Sequence, residues 1–443
     1  MLLIYTPIIS NRLKYVLDNI LQEHFGIEYG LTNDIEIYEQ HQSSPTFAYA
    51  QTKPADGLFF FASSLLFEND IHEVPLNNGT LTSTPVLFTH NNKESALSFD
   101  IFAAVFYLLS RYEEYIHKEK DVYGNFDFKQ SILYELNCLD KPLVEIWIDF
   151  LKEVLKKNFP QLEFKEKPPR YALSFDIDVA YAYTNRGIFR TVGGVAKKIV
   201  TFKLPDLKDH LLTLLHLKKD MFDTYQYIFE QNKNGKAIVF FNMGSYGKYD
   251  KNPSWKNKTF RKLIRSIHNK HIVGLHPSYA SNNNKKLLLE EKKKLQEITG
   301  ETITLSRQHY LKLSFPDTYR NLLEAGIKKD FTMGYYLHYG FRPGTCNPFY
   351  FFDLQANNAT ELLLYPFAVM DGTLNDVLKL SPENAKHVIS QLIDTVKKYK
   401  GVFIPLWHNS TLSESDNWIG WRTVFEHTIK ELEEKNFQQL THF

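Results

Sequence analysis

The chain has 443 residues, enough for two separately cored domains or one large barrel with an appendage. Its 52 basic and 51 acidic residues leave a formal charge of +1, which removes any global electrostatic reason to expect nucleic acid or an anionic membrane as partner. Two cysteines, Cys138 and Cys346, are too few and too far apart for a disulfide framework. No apolar run reaches the roughly 18 to 20 residues that span a bilayer, and the N-terminus lacks a basic region ahead of its short apolar stretch. The expectation is a soluble, cytoplasmic protein with two free thiols.

Residues 1–165 read as a smaller mixed α/β domain. "LLIYT" predicts a strand, and "SNRLKYVLDNILQEHFG" a helix with Leu13, Val16, Ile20 and Leu21 on one face and Gly26 as its stop. "DIFAAVFYLLSRYEEY" (100–115) predicts one helix capped by Asp100, with Phe102, Val105, Phe106 and Leu109 facing a core and Arg111 to Tyr115 as a solvated end. A further helix, "KPLVEIWIDFLKEVLKKNF" (141–159), leads into the charged, proline-bearing "PQLEFKEKPPR", where the boundary falls.

Residues 166–443 carry a different pattern. Seven apolar runs predict strands: "YALSFDID" (171), "AIVFFNM" (237), "HIVGLHP" (271), "TITLSRQ" (302), "DFTMGY" (330), "LLLYPFAVM" (362) and "GVFIPLWHN" (401). Helical or long connecting segments separate them, which predicts parallel strands with right-handed crossovers, covered on their outer side. Several of these runs end in a reactive group: Asp176 and Asp178, Asn242, His276, Arg307 with His309, Asp371, and His408 with Asn409. In a closed parallel barrel such ends converge on one mouth. Asp176 and Asp178 lie on one face of their strand, about 6.6 Å apart at roughly 3.3 Å per residue. No glycine-rich loop follows the first of these strands, which weakens a nucleotide-binding reading.

With "SFDID", "GLHPSY", "SRQHY", "DFTMGY" and "LWHN" in this order, residues 168–443 resemble the polysaccharide deacetylase (NodB-homology) superfamily, whose fold is an incomplete seven-stranded (β/α) barrel. The stretch from "DIFAAVFYLLSRYEEY" to "DVYGNFDFKQS" is similar to a domain that precedes such barrels in a subset of bacterial relatives. The resemblance implies a metal-dependent hydrolase that removes N- or O-acetyl groups from a carbohydrate. It implies a divalent metal, zinc first, held by Asp178 and His276. Asp176 would be the general base, Arg307 its ion-pair partner and His408 the general acid, oriented by Asp330.

The chain departs from the family pattern at Ala280, where a second histidine is usual, and in the one-residue spacing of its aspartates. His309 is the expected replacement ligand. Tyr279, Tyr335, Arg342 and Asp371 are candidate substrate contacts, and Asp371 is an alternative orienting carboxylate for His408. The aromatic runs "GYYLHYGF" and "NPFYFFD" read mainly as packing. Two other functions fit the same residues: a glycan-binding or assembly protein that has lost catalysis, and another C–N or glycosidic hydrolase using Asp176 and Asp371 as paired carboxylates.

Overall fold

The computed structural model describes residues 1–41, 44–185, 204–232 and 235–443. They form two compact units: Met1–Asp121, Phe126–Pro168 and Phe341–Leu363 in one, and Val122–Asn125, Pro169–Gly340 and Leu364–Phe443 in the other.

The first unit is built on four parallel strands, β1 (Leu2–Tyr5), β2 (Tyr29–Thr32), β3 (Thr46–Ala50) and β4 (Leu58–Phe61), in the order β2-β1-β3-β4. Helix α1 (Asn11–Leu17) starts where the Ser10 hydroxyl accepts from Leu13 N–H and continues as a wider turn to Gly26. At that stop the backbone is left-handed (φ 70°), the region glycine enters without a Cβ penalty. Helix α2 (Ile101–Leu109) is capped by Asp100, as the sequence predicts, and is buried on every side.

The expected helix to residue 115 is broken. Arg111 turns left-handed at φ 53°, and Glu113–Ile116 forms a separate turn. Arg111 is not a solvated end residue. Its guanidinium is buried, 2.7 Å from Glu113 and 2.8 Å from Glu114, and Arg342 donates through Nε to the same Glu114 at 2.9 Å. Arg342, expected as a substrate contact, is buried in this network, and removing one member of such a set costs about 3–5 kcal/mol.

Among the described residues of the second unit, seven short strands run side by side in its main sheet: β5 (Ser174–Ile177), β6 (Ile238–Asn242), β7 (Ile272–His276), β8 (Leu305–Ser306), β9 (Lys329–Asp330), β10 (Val369–Met370) and β11 (Pro405–His408). Each of the six ladders joining them is parallel, and the order is β9-β8-β7-β6-β5-β11-β10. The first strand thus lies between the second and the last, as in a sheet curling toward a barrel. Among the described residues no ladder joins β9 to β10. Two single backbone bonds reach across there, from Tyr365 N–H to Asp330 O and from Phe367 N–H to Met333 O.

Several predicted strands are longer than the paired segments. "LLLYPFAVM" divides into Asn358–Leu364 and β10, because the chain between them is used in those bridging bonds. "GVFIPLWHN" likewise divides, its Val402–Phe403 pairing with Arg170–Tyr171 in a separate small sheet. The strands are apolar on both faces because amphipathic helices cover the outside. One of these is α3 (Pro382–Lys398), which buries Ala385, Ile389, Leu392, Ile393 and Val396 and is capped by Ser381. Both cysteines are free thiols, and among the described residues no helix is long and apolar enough to cross a membrane.

One buried acid in the first unit has a measurable consequence. Glu145 accepts from the Thr345 hydroxyl, Asn347 Nδ2 and Cys346 N–H, yet burial outweighs these donors and raises its carboxyl from 4.5 to about 7. The unfolded chain therefore loses this proton near pH 4.5 while the folded chain keeps it to about pH 7. Stability from this group falls as pH rises through that window, by on the order of 3 kcal/mol, and is flat above it. Urea unfolding at intervals from pH 4.5 to 7.5 should show this decline in the wild type and its loss in Glu145→Gln; parallel curves would count against it.

Candidate metal centre and active site

The register of the parallel ladders aligns the reactive strand ends. His408 is the direct neighbour of Asp176, His276 of Asn242, and Leu275 of Ser306, which places Arg307 beside His276. Side-chain alternation then brings Asp176 and Asp178 to the same face as those neighbours.

Asp178, His276 and His309 each offer one ligand atom, and the three atoms lie within 4.8 Å of one another. Asp178 Oδ1 is 3.0 Å from His276 Nε2, and Oδ2 is 3.5 Å from His309 Nε2. Both histidines have committed their other nitrogen. His276 Nδ1 is 2.5 Å from the carbonyl of Arg307, and His309 Nδ1 is 2.8 Å from Asp250 Oδ1. An acceptor at Nδ1 fixes the proton there in the neutral ring, and the Nε2 lone pair then faces Asp178.

The meeting point therefore joins a carboxylate to two nitrogen lone pairs. Asp178 Oδ1 is buried and has no aligned hydrogen-bond donor despite its closeness to His276. That pattern fits a cation better than a hydrogen-bonded cluster, and two imidazoles with one carboxylate suit a divalent first-row metal such as zinc. Without a cation, a proton takes over part of its role. Burial opposes charge on His309, but Asp178 and Asp250 raise it to about 9; burial likewise opposes charge on Asp178, but His309, His276 and His408 hold it well below the usual carboxylate range.

Two further pairs flank this point. Asp176 is buried, and its Oδ1 lies 2.9 Å from Arg307 Nη1. Arg307 is held from three sides: Nη2 donates to Ser174 Oγ at 2.8 Å, Nε to Phe331 O at 3.0 Å, and its plane lies 4.7 Å from the Phe240 ring centre. On the other flank His408 Nδ1 is 2.7 Å from Asp371 Oδ1, and Nε2 faces the site 3.5 Å from Asp178 Oδ2. Burial would lower His408, but Asp371, then Asp178 and Asp176, raise it to about 10. A cavity of about 250 Å³ opens over these groups, with Tyr310, Tyr336, Asp376 and Trp418 among its walls.

Several expected roles are reassigned by this geometry. Asp330 does not orient His408. It accepts from Ser306 Oγ, Thr332 N–H and Thr332 Oγ1, and burial raises it to about 6. The carboxylate bonded to His408 is Asp371, because it directly follows β10, which pairs with the strand carrying His408; β9, ending in Asp330, lies at the other end of these seven strands. Asp371 also accepts from Gly372 N–H, His408 N–H and the Thr411 hydroxyl, so both its oxygens are engaged.

Tyr335 is buried, and its neighbour Tyr336 faces the cavity instead. Tyr279 stands behind the wall, donating its hydroxyl to Tyr123 O at 3.1 Å. Asp250 carried no sequence signal, since it lies in the loop after β6 rather than at a strand end. There it accepts from Asn242 Nδ2 at 2.8 Å as well as bonding His309. Ser278, two residues past His276, is anchored by Glu291 through both N–H (2.9 Å) and hydroxyl (2.6 Å).

Residues 2–160 match a family model described as a family of unknown function (DUF7033). No curated protein matches the chain. Solved structures similar to it include a polysaccharide deacetylase from Bacillus cereus, at 16% identity over 62% of this chain and 92% of that one, with a TM-score of 0.32. They also include a family 4 carbohydrate esterase from Streptomyces lividans, at 10% identity over 62% and 93%, with a TM-score of 0.32. A CE4-family pseudoenzyme from Bacillus anthracis is similar at 11% identity over 61% and 63%, again with a TM-score of 0.32.

The metal centre makes a direct prediction. Protein purified without a metal-affinity tag and supplied with zinc should retain about one ion per chain, the occupancy expected of a single three-ligand site. His276→Ala and His309→Ala should each abolish retention, while Asp250→Asn should weaken it by about 10–100-fold, as loss of a ligand's orienting partner does. Elemental analysis of the four dialysed proteins checks this, and equal zinc in all four would exclude the site.

Proposed function

We propose that the second unit is a metal-dependent hydrolase of the polysaccharide deacetylase (NodB-homology) type, removing an N- or O-acetyl group from a carbohydrate. The observation that supports it most is the placement of two ion pairs, Asp176 with Arg307 and His408 with Asp371, on either side of the meeting point of Asp178, His276 and His309. Asp178, His276 and His309 would hold a divalent cation, zinc first. Such an ion, when bound, supplies Lewis-acid polarisation of the acyl carbonyl and acidifies a water.

The chain's own residues perform the rest. Arg307 neutralises and aims Asp176, leaving Oδ2 of that carboxylate for a proton taken from the attacking water. His408 keeps its Nδ1 proton on Asp371 and presents Nε2 to the cavity. Protonated there, it gives that proton to the departing amine or alkoxide as the acyl C–N or C–O bond breaks. Water is consumed, the acyl group leaves as its acid, and the sugar retains a free amine or hydroxyl. The walls Tyr336 and Trp418 offer flat faces for a sugar ring.

Two measurements test this assignment. Asp176→Asn should lower kcat for release of acetate from chito-oligosaccharides or acetylated xylan by about 10²–10⁴-fold, the usual range for a general base, while leaving bound zinc unchanged. Asp371→Asn removes the main influence raising His408, so the alkaline limb of the pH–rate profile should move down by more than about one unit as the acid is lost earlier. Full turnover in Asp176→Asn would remove that residue from the mechanism. Sugar binding with no acetate released by the wild type would favour the non-catalytic glycan-binding alternative.

A further inference from the structure

The turn that carries His309 is conformationally unfavourable by itself. Tyr310 (φ 57°) and Leu311 (φ 52°) are consecutive left-handed residues, neither of them glycine or asparagine. Such backbone persists only when its surroundings fix it. Within the second unit the fixing group comes from a segment far away in sequence, Val122–Asn125. The Asn125 side chain is buried and spans the turn: its Nδ2 donates to Tyr310 O at 3.1 Å, and its Oδ1 accepts from Leu313 N–H at 2.9 Å.

Tyr123 adds a second hold. Its ring centre lies 4.9 Å from that of Tyr310 and 4.9 Å from that of Tyr336, the two tyrosines that line the cavity. Its carbonyl also accepts from the Tyr279 hydroxyl. Neither Tyr123 nor Asn125 lines the cavity itself, so both act through other residues.

We infer that Val122–Asn125 is a positioning clamp for the site: Asn125 holds the left-handed turn that aims His309 Nε2 at Asp178, and Tyr123 sets the tyrosine wall beside it. The inference rests on the metal-site reading only in its consequence for metal binding. The hold on the turn stands independently of any metal.

The test uses the full-length chain and the variants Asn125→Ala, Asn125→Asp and Tyr123→Ala, each checked for wild-type circular dichroism. Hydrogen–deuterium exchange of peptides covering residues 306–315 and 334–338 is measured without metal, and zinc affinity by competition with a chromophoric chelator. Asn125→Ala should exchange at least about tenfold faster over 306–315 and bind zinc about tenfold more weakly, about 1.4 kcal/mol. Asn125→Asp keeps the Leu313 bond and loses the Tyr310 bond, and should fall between. Tyr123→Ala should loosen 334–338 along with 306–315.

Should Asn125→Ala misfold, Tyr123→Ala decides the matter by the same exchange readout. Unchanged exchange over 306–315 in both folded variants overturns the clamp. Faster exchange in a protein whose wild type binds no zinc upholds the clamp and rejects the metal centre, so the two failures are distinct.

Discussion

The site in the second unit depends on a confrontation that neutral protein groups do not relieve. A carboxylate and two imidazole lone pairs meet with their other nitrogens already spent on a carbonyl and a second carboxylate. Unpaired acceptors buried together are unfavourable unless a positive charge joins them. Either a metal ion or a proton can fill that role, and the carboxylates of Asp178 and Asp250 raise His309 for the same reason. The surrounding structure turns this demand into a fixed geometry. Glu291 anchors the turn after His276, Asn242 and Ser174 brace the flanking charges, and the parallel register puts the strand ends in one row.

How much of this the sequence discloses depends on whether a residue acts through the strand period or through a loop. Asp176 and Asp178 are legible because a period of two places both on one face, and His276 and His408 because reactive groups at the ends of apolar strands are conspicuous. His309 is legible only as a histidine near a strand end; its bond to Asp250 and its left-handed neighbour are set by tertiary contacts. Asp250 and Asn125 carry no local pattern at all. They lie in loops, 59 and 188 residues away from the groups they hold, and single-chain periodicity has no means of joining such positions. The error over Asp330 has a related cause. Asp330 opens the predicted strand "DFTMGY" while Asp371 follows "LLLYPFAVM", and only the strand order shows which of the two adjoins His408.

Strand length is the other systematic difference. The apolar runs at 302, 330, 362 and 401 exceed the paired segments, because hydrophobic patterning reports burial rather than ladder bonds. Chain that leaves one ladder and stays under the covering helices remains apolar. The same distinction explains the first unit, where "SRYEEY" reads as a solvated helix end by composition. Its charges are instead buried among one another, Arg111 with Glu113 and Glu114, and Arg342 with Glu114. Composition reports the residues' usual preference, and mutual pairing reverses it.

The two histidines of the candidate site are supported differently, since His276 ends β7 and takes its position from the ladder. His309 comes instead from beyond the next strand and reaches the site through a turn whose backbone bond, from His309 N–H to Pro277 O, ties it to the His276 segment. Bringing the ring inward there leaves Tyr310 and Leu311 in left-handed conformations, which the local chain does not favour. A ligand supplied from a turn therefore needs support from elsewhere in the molecule, whereas one supplied from a strand end inherits it from the ladder. The bonds from Asp250 to the ring and from Asn125 to the turn are of that kind, and they make the His309 position intelligible as part of a built centre rather than a histidine that happens to lie near two acids.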